Sequence, residues 1–458
     1  MLPLALALLA GCPDRTISSV IPEQGRVETK DIPVTVNRDI DILFVVDNSK
    51  SMADKQTNLT DNFPDFINVL QGIPGGLPNV HIGVVSSDMG GSATQDGPAT
   101  GVGGCNGRGE NGALRTDPSI TGNFISDVDP TGMGVTRTKN YTGDLSTAFT
   151  RIAKVGDTGC GFEQHLESMK RALTNPANSG FLRPSAYLAV IFIADEDDCS
   201  FSHAAGLGAE SPALGTLQSF RCTRFGVTCE QGGATSDAMK QVGSKGQCHP
   251  NESSPYLEKV QTYVEFLKGL KPVEKKMVIV AGIMGTIEPF QVELRPPQGS
   301  TVPEPALAHS CSYVGAEGIQ YGDPPVRLKF FLDQFPDRSA FATICQRNLS
   351  DGLGVIAQLL TSVVGNPCME GIPVDVDPNT AGPQYDCAVS DVTNPGTIDA
   401  KESIIPRCDA TASQKPCWRI QADADKCPSD DHLMLQVERA IDPPPETHIV
   451  ANCVTEAI

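Results

Sequence analysis

Asp47-Asn48-Ser49-Lys50-Ser51 places a carboxylate and two hydroxyls at alternate positions, and a second carboxylate, Asp195, ends another apolar run. Oxygens at alternate positions leaving a strand converge on one point just above its end. One carboxylate and two hydroxyls make a hard oxygen set. It suits Mg²⁺ first, with Mn²⁺ or Ca²⁺ as alternatives, and does not suit a soft metal.

These residues need a rigid base, and the flanking sequence supplies one. Ile40-Asp41-Ile42-Leu43-Phe44-Val45-Val46 leads into Asp47, and Tyr187 to Ala194 leads into Asp195. Continuous apolar runs of this kind fit parallel strands covered on both faces. Val80-His81-Ile82-Gly83-Val84-Val85 and Met277 to Ile283 predict two more strands. Between them lie helical stripes: Leu59, Phe63, Phe66, Ile67 and Leu70, with Pro64 expected to kink or restart the helix; Phe162, Leu166, Met169 and Leu173; and about 255–270. Ser350 is placed to cap a last helix carrying Leu353, Ile356, Leu360 and Val363. Alternating strands and helices predict an α/β fold with a doubly wound, mostly parallel sheet, whose ligands bind beyond the carboxyl ends of the strands.

With Asp47, Ser49 and Ser51 in the D-x-S-x-S pattern, after a buried strand and before an amphipathic helix, the chain resembles the von Willebrand factor A family over about residues 38–365. The resemblance implies a metal-ion-dependent adhesion site completed by a threonine from a later loop and an aspartate after the fourth strand. Thr158, in Val155-Gly156-Asp157-Thr158-Gly159-Cys160-Gly161, stands in the threonine's place, and Asp195 in the aspartate's. The chain departs from the family in having Glu196-Asp197-Asp198 where Gly usually follows the aspartate, and in lacking the Gly-Gly before Thr158. Two carboxylates and three hydroxyls leave a divalent cation incompletely neutralised, with an open position. A carboxylate from a protein ligand completes the shell through a charge-assisted contact.

Asp88, ending the second strand, is expected beside the site, and Glu196 and Asp197 are candidates for its surroundings. Glu196-Asp197-Asp198 reads more simply as a solvated loop, and His165 as a helix-surface residue. Asp127-Val128-Asp129-Pro130 and Asp375-Val376-Asp377-Pro378 lack the full calcium-loop pattern.

The bulk numbers set limits. Lys+Arg is 35 against Asp+Glu 55, a formal charge of −20 with no basic cluster, which excludes nucleic acid as the partner. Fifteen cysteines point to an oxidising compartment. Leu9-Ala10-Gly11-Cys12 after a short apolar run resembles a bacterial lipobox, which implies cleavage before Cys12 and a lipid anchor in a membrane. Fourteen cysteines then remain for disulfides: Cys105, Cys160, Cys199, Cys222, Cys229, Cys248, Cys311, Cys345, Cys368, Cys387, Cys408, Cys417, Cys427 and Cys453. A Cys105–Cys160 bridge would pin the first insertion over the site, although spacing does not fix connectivity. Cys199, His203, Cys222, Cys229, Cys248 and His249 lack the paired spacing of a zinc site.

The expected organisation is a lipoprotein signal over 1–12, a tether over 13–38, and the A-type domain over 39–365 with insertions at about 89–145, 199–250 and 285–340. A Cys-rich β appendage follows over 366–458, where 418–421 and 433–437 read as short strands. The leading expectation is a metal-dependent adhesion or scaffold lipoprotein of the bacterial cell envelope, facing the periplasm or the cell surface, and not an enzyme. A metal-dependent hydrolase needs a base and a nucleophile, and no G-x-S-x-G or H-E-x-x-H element is present. A structural envelope protein with a vestigial metal site is the third reading.

Overall fold

The computed structural model describes residues 26–33, 39–73, 76–91, 105, 107–129, 137–184, 186–202, 208–271, 277–297, 300–336, 338–364, 368–369, 372–377, 379, 382–393, 399–409, 411–422, 427, 432–441, 443 and 447–455. Cys12 and the lipobox lie outside these residues, as does His203. The chain divides into two compact units, residues 37–364 and residues 1–36 with 365–458.

The larger unit is mixed α/β. Its sheet contains β1 (Asp39–Val46), β2 (Asn79–Ser86), β3 (Ile125–Val128), β4 (Thr138–Lys139), β5 (Tyr187–Ile193), β6 (Val278–Met284) and β7 (Ser339–Thr343). The spatial order is β7-β6-β5-β1-β2-β3-β4, parallel from β7 to β2 and antiparallel at β3 and β4. Strand β1 is central, with Val46 beside Ser86 on one side and Ile193 on the other. The carboxyl ends of β1, β2 and β5 therefore meet at one edge.

Side chains alternate between two cores, as a pleated strand demands. Ile40, Ile42, Phe44 and Val46 pack toward α1 (Ala53–Gln71), α2 (Leu145–Ala153) and α6 (Ser350–Val364). Leu43 and Val45 pack toward α3 (His165–Thr174), α4 (Val260–Gly269) and α5 (Val326–Asp333). Helices thus cover both faces. Helix α1 runs on through Pro64, which is exposed, without the restart that was one of the two expectations there. Ser350 is the first residue of α6, and its N–H donates to Asn348 Oδ1 (2.7 Å).

The insertions depart from their expected bounds. The first supplies the antiparallel strands β3 and β4. The third was expected to reach about 340, but α5 and β7 over 326–343 belong to the main sheet and its helices. The short β7 has only half-buried side chains, so it lacks the apolar run that marks the inner strands.

The smaller unit has a four-stranded antiparallel sheet in the order Arg26–Pro33, Thr447–Thr455, Cys387–Thr393, Lys401–Ile404. The first of these strands falls inside the span expected to be a tether. Its charged composition and terminal proline suit the sheet edge it occupies. Cys417–Ala422 pairs with Leu433–Glu438 in a separate hairpin. The unit's core is small, gathered around Met369, Val389, Trp418 and Leu435. Bridges Cys368–Cys427, Cys387–Cys453 and Cys408–Cys417 reinforce it.

Candidate functional site

Asp47 is the first residue past β1 and is fully buried. Its N–H donates to the Ile193 carbonyl (2.9 Å), so the end of β5 fixes its backbone. Oδ1 accepts the Ser49 N–H at 2.7 Å, which folds the loop back over the strand end. The hydroxyls of Ser49 and Ser51 share a hydrogen bond of 3.0 Å, and that of Ser51 also bonds to Asp195. Asp47, Ser49, Ser51 and Asp195 therefore come together.

Thr158 is brought to the same edge but not into that bonded group. Gly159, the next residue, donates its N–H to the Asn48 carbonyl (3.0 Å), and a Cβ at Gly159 would strike the Asn48 side chain at 2.1 Å. Gln56 clamps the two loops, donating from Nε2 to the carbonyls of Asp47 (3.1 Å) and Gly156 (2.7 Å). The Thr158 side chain is exposed on the solvent side. Among the described residues, no hydrogen bond or ion pair joins it to the other four.

The bridge Cys105–Cys160 is present and pins the first insertion to this loop. Asp88 lies close by and serves the loops, accepting N–H groups from Gly90 (2.7 Å) and Cys160.

Three further groups stand at the site: Lys55 and Glu163, which the sequence did not single out, and His165, expected on a helix surface. Lys55, one helical turn beyond Ser51, donates from Nζ to Asp195 Oδ2 (2.8 Å) and to the Ser51 carbonyl (3.0 Å). Glu163 is buried and accepts the Ser87 hydroxyl at one oxygen. His165 is fully buried, with Nε2 3.7 Å from Asp47 Oδ2, so the helix-surface assignment is corrected. Helix α3 turns its first residues inward because Leu166, Met169 and Ala172 pack on the sheet. Lys55 at the i+4 position from Ser51 and Glu163 near the start of a helix were the available clues.

The solvated-loop reading of Glu196-Asp197-Asp198 is also corrected. Asp198 is buried and takes both Nε (3.1 Å) and Nη2 (3.0 Å) of the buried Arg327. Asp197 caps α5, accepting the N–H groups of Arg327 (2.9 Å) and Leu328 (3.1 Å). Burial holds its carboxyl at about 6, despite these donors. Neither residue faces Asp47. Glu196 is half-buried and directly follows Asp195.

Electrostatically the site is short of positive charge. Burial, then Asp47, raises the Asp195 carboxyl to about 6, against the opposing pull of Lys55 and Ser51. Burial and Asp47 also push Glu163 well above the usual carboxylate range. Glu196 is raised by burial and then by Asp195, Asp323 and Asp47. At this site, among the described residues, four buried oxygens have no hydrogen-bond partner (Asp47 Oδ2, Asn48 Oδ1, Glu163 Oε1 and Asp195 Oδ1), and neither do the two ring nitrogens of His165. Leaving such groups unpaired is unfavourable by about 1–3 kcal/mol each, and more for a charge. A hard divalent cation would relieve those it contacts. Among the described residues no group of three His, Cys, Asp or Glu side chains forms a metal cluster, so a cation here would depend on hydroxyl and amide oxygens as well.

The expected cysteines are bridged. Besides Cys105–Cys160, the larger unit holds Cys199–Cys222, Cys229–Cys248 and Cys311–Cys345, which removes the zinc alternative for those residues.

No protein-family model matches the chain, and no curated protein matches it. Among solved structures it is similar to proximal thread matrix protein 1 from the mussel byssus, at 11% identity over 73% of this chain and 48% of that one, with a TM-score of 0.27. It is similar to the pilus adhesin RrgA from Streptococcus pneumoniae at 10% identity, covering 94% of this chain and 58% of that one, with a TM-score of 0.30. It is also similar to the adhesive tip pilin GBS104 from Group B Streptococcus agalactiae, at 9% identity over 94% and 81%, with a TM-score of 0.28. The chain spans about half the length of the first two. TM-scores of this size carry no weight for fold or function.

Proposed function

We propose that this chain is a von Willebrand factor A-type binding protein of the bacterial cell envelope, tethered by a lipid at Cys12. It captures an acidic residue of a protein ligand through a divalent cation. Asp47, Ser49, Ser51 and Asp195 would hold the cation, Thr158 would approach from the exposed loop, and Mg²⁺ is the preferred ion. The bound ion would supply one locally positive point on an acidic protein, where a ligand carboxylate completes the shell.

The observation that carries this reading is the set of buried, unpartnered oxygens on Asp47, Asn48 and Asp195 past the carboxyl ends of adjacent strands, with that of Glu163 from the loop before α3. The seven disulfides support an oxidising, extracytoplasmic setting. Among the described residues no helix is long and apolar enough to cross a membrane, which is compatible with attachment by lipid.

Calorimetric titration of Mg²⁺, Mn²⁺ and Ca²⁺ into the oxidised chain tests the proposal. Saturable binding lost in Asp47→Ala and Ser49→Ala is expected. Absence of binding by folded wild-type protein refutes the metal-dependent mechanism.

A metal-dependent hydrolase is the second reading, favoured by the acid–base groups Glu163 and His165 beside Asp47. It would need one of them to reach a substrate, yet both side chains are buried, at 1% and 0% exposure.

A further inference from the structure

The chain leaving Asp195 borders a cavity of about 520 Å³ whose lining includes Glu196, Asp197 and Asp323. The start of the helix Phe220–Gly226 with the residues before it, and the strand ends at Arg295 and Leu307, supply further lining. The bridge Cys199–Cys222 ties that helix to the segment following Asp198. Leu217, Phe220, Pro296 and Leu307 make much of the surface apolar. Its volume lies in the range of ligand pockets.

The charges in the wall are not equivalent. Asp197 is engaged with the N-terminus of α5. Asp323 pairs with His309 Nδ1 at 2.6 Å. Arg295 is turned to His309 Nε2 (2.7 Å) and to the Leu307 carbonyl (3.0 Å). Glu196 makes no hydrogen bond or ion pair among the described residues, and Arg295 is the cation whose field favours its charge. A partly apolar cavity whose wall carries three carboxylates against one guanidinium favours an aliphatic stem carrying a cation. An anionic ligand group would meet the acidic wall.

We propose that this cavity receives a lysine or arginine side chain of the protein ligand, its stem against Leu217, Phe220 and Leu307 and its charged head at Glu196. The inference deepens the reading above, since Glu196 adjoins Asp195 and one ligand would place an acid on the cation and a base in the pocket. The pocket's chemistry does not itself require the metal.

The test uses the full oxidised chain with a chelator present and two probes of similar shape. n-Butylguanidine carries one guanidinium on an aliphatic stem, and N-butylurea keeps the stem and planar head without the charge. n-Butylguanidine is expected to bind saturably and about tenfold or more tightly than N-butylurea. That preference is expected to vanish in Glu196→Gln and in Ser219→Lys, which places a fixed ammonium on the pocket wall. Equal binding of the two probes, or a preference that survives in both variants, overturns the proposal. Because no metal is present, this result stands apart from the Mg²⁺ titration, and either claim can fail alone.

Discussion

The ammonium of Lys55 lies 2.8 Å from Asp195 Oδ2, and the two side chains are only 1% and 3% exposed. Among the described residues it is the one lysine–carboxylate pair at an edge where Asp47, Glu163 and Glu196 add further acid groups. Lys55 neutralises one oxygen of Asp195 and leaves Oδ1 unpartnered. Replacing Lys55 with Met is expected to destabilise the metal-free protein by about 3–5 kcal/mol, because a buried carboxylate loses its partner. Saturating Mg²⁺ should recover more stability in this variant than in wild type, as judged by denaturant midpoints. An unchanged midpoint without metal would contradict the assigned role.

Asp197 gives a signed pH dependence. Its folded carboxyl is raised to about 6, above the ordinary value of 3.8, so between these values the folded chain binds more protons than the unfolded one. The contribution favours folding when the group is protonated and is lost as pH rises through about 6. Asp197→Asn keeps an acceptor for the α5 N–H groups and removes the charge. It should be more stable than wild type at pH 7 by about 1–2 kcal/mol after screening, and equal to it near pH 4. Parallel denaturant curves across that range check the difference.

The Cys105–Cys160 bridge closes a loop across 55 positions and holds the segment carrying Thr158 and Gly159. Its removal by the double change to Ser is expected to cost about 2–4 kcal/mol of stability. Mg²⁺ affinity should also fall, since Gly159 and Cys160 contact Asn48 and Asp88. Full metal affinity in a folded double variant would show that the loop positions itself without the bridge.

Arg327 is the partner that allows Asp198 to be buried. Arg327→Met should lower stability by about 3–5 kcal/mol, measured by chemical unfolding, because it leaves Asp198 uncompensated. Restoring neutrality with Asp198→Asn in the same chain should recover part of that loss.

Strands β1, β2, β5 and β6 of the central sheet were legible because continuous apolar runs have few other uses, and the oxygens of Asp47, Ser49, Ser51 and Asp195 sit where two of those runs end. Other features depend on contacts remote in sequence. The burial of Asp198 comes from Arg327, 129 positions away, and no local pattern marks it. His165 and Glu163 look polar and superficial in sequence, yet the packing of Leu166 and Met169 carries them under the site. β7 went unread at the end of the presumed insertion because an edge strand buries too little to be continuously apolar. The strand Arg26–Pro33 read as a tether because its sequence is mostly polar and charged.

The most direct test of the central claim is anomalous diffraction from crystals of the oxidised protein grown with Mn²⁺. The account expects a strong peak within about 2.5 Å of the Ser49 or Ser51 hydroxyl, beside the free oxygens of Asp47 and Asp195. A well-ordered structure with no peak there, or with Mn²⁺ only at other carboxylates, would contradict it.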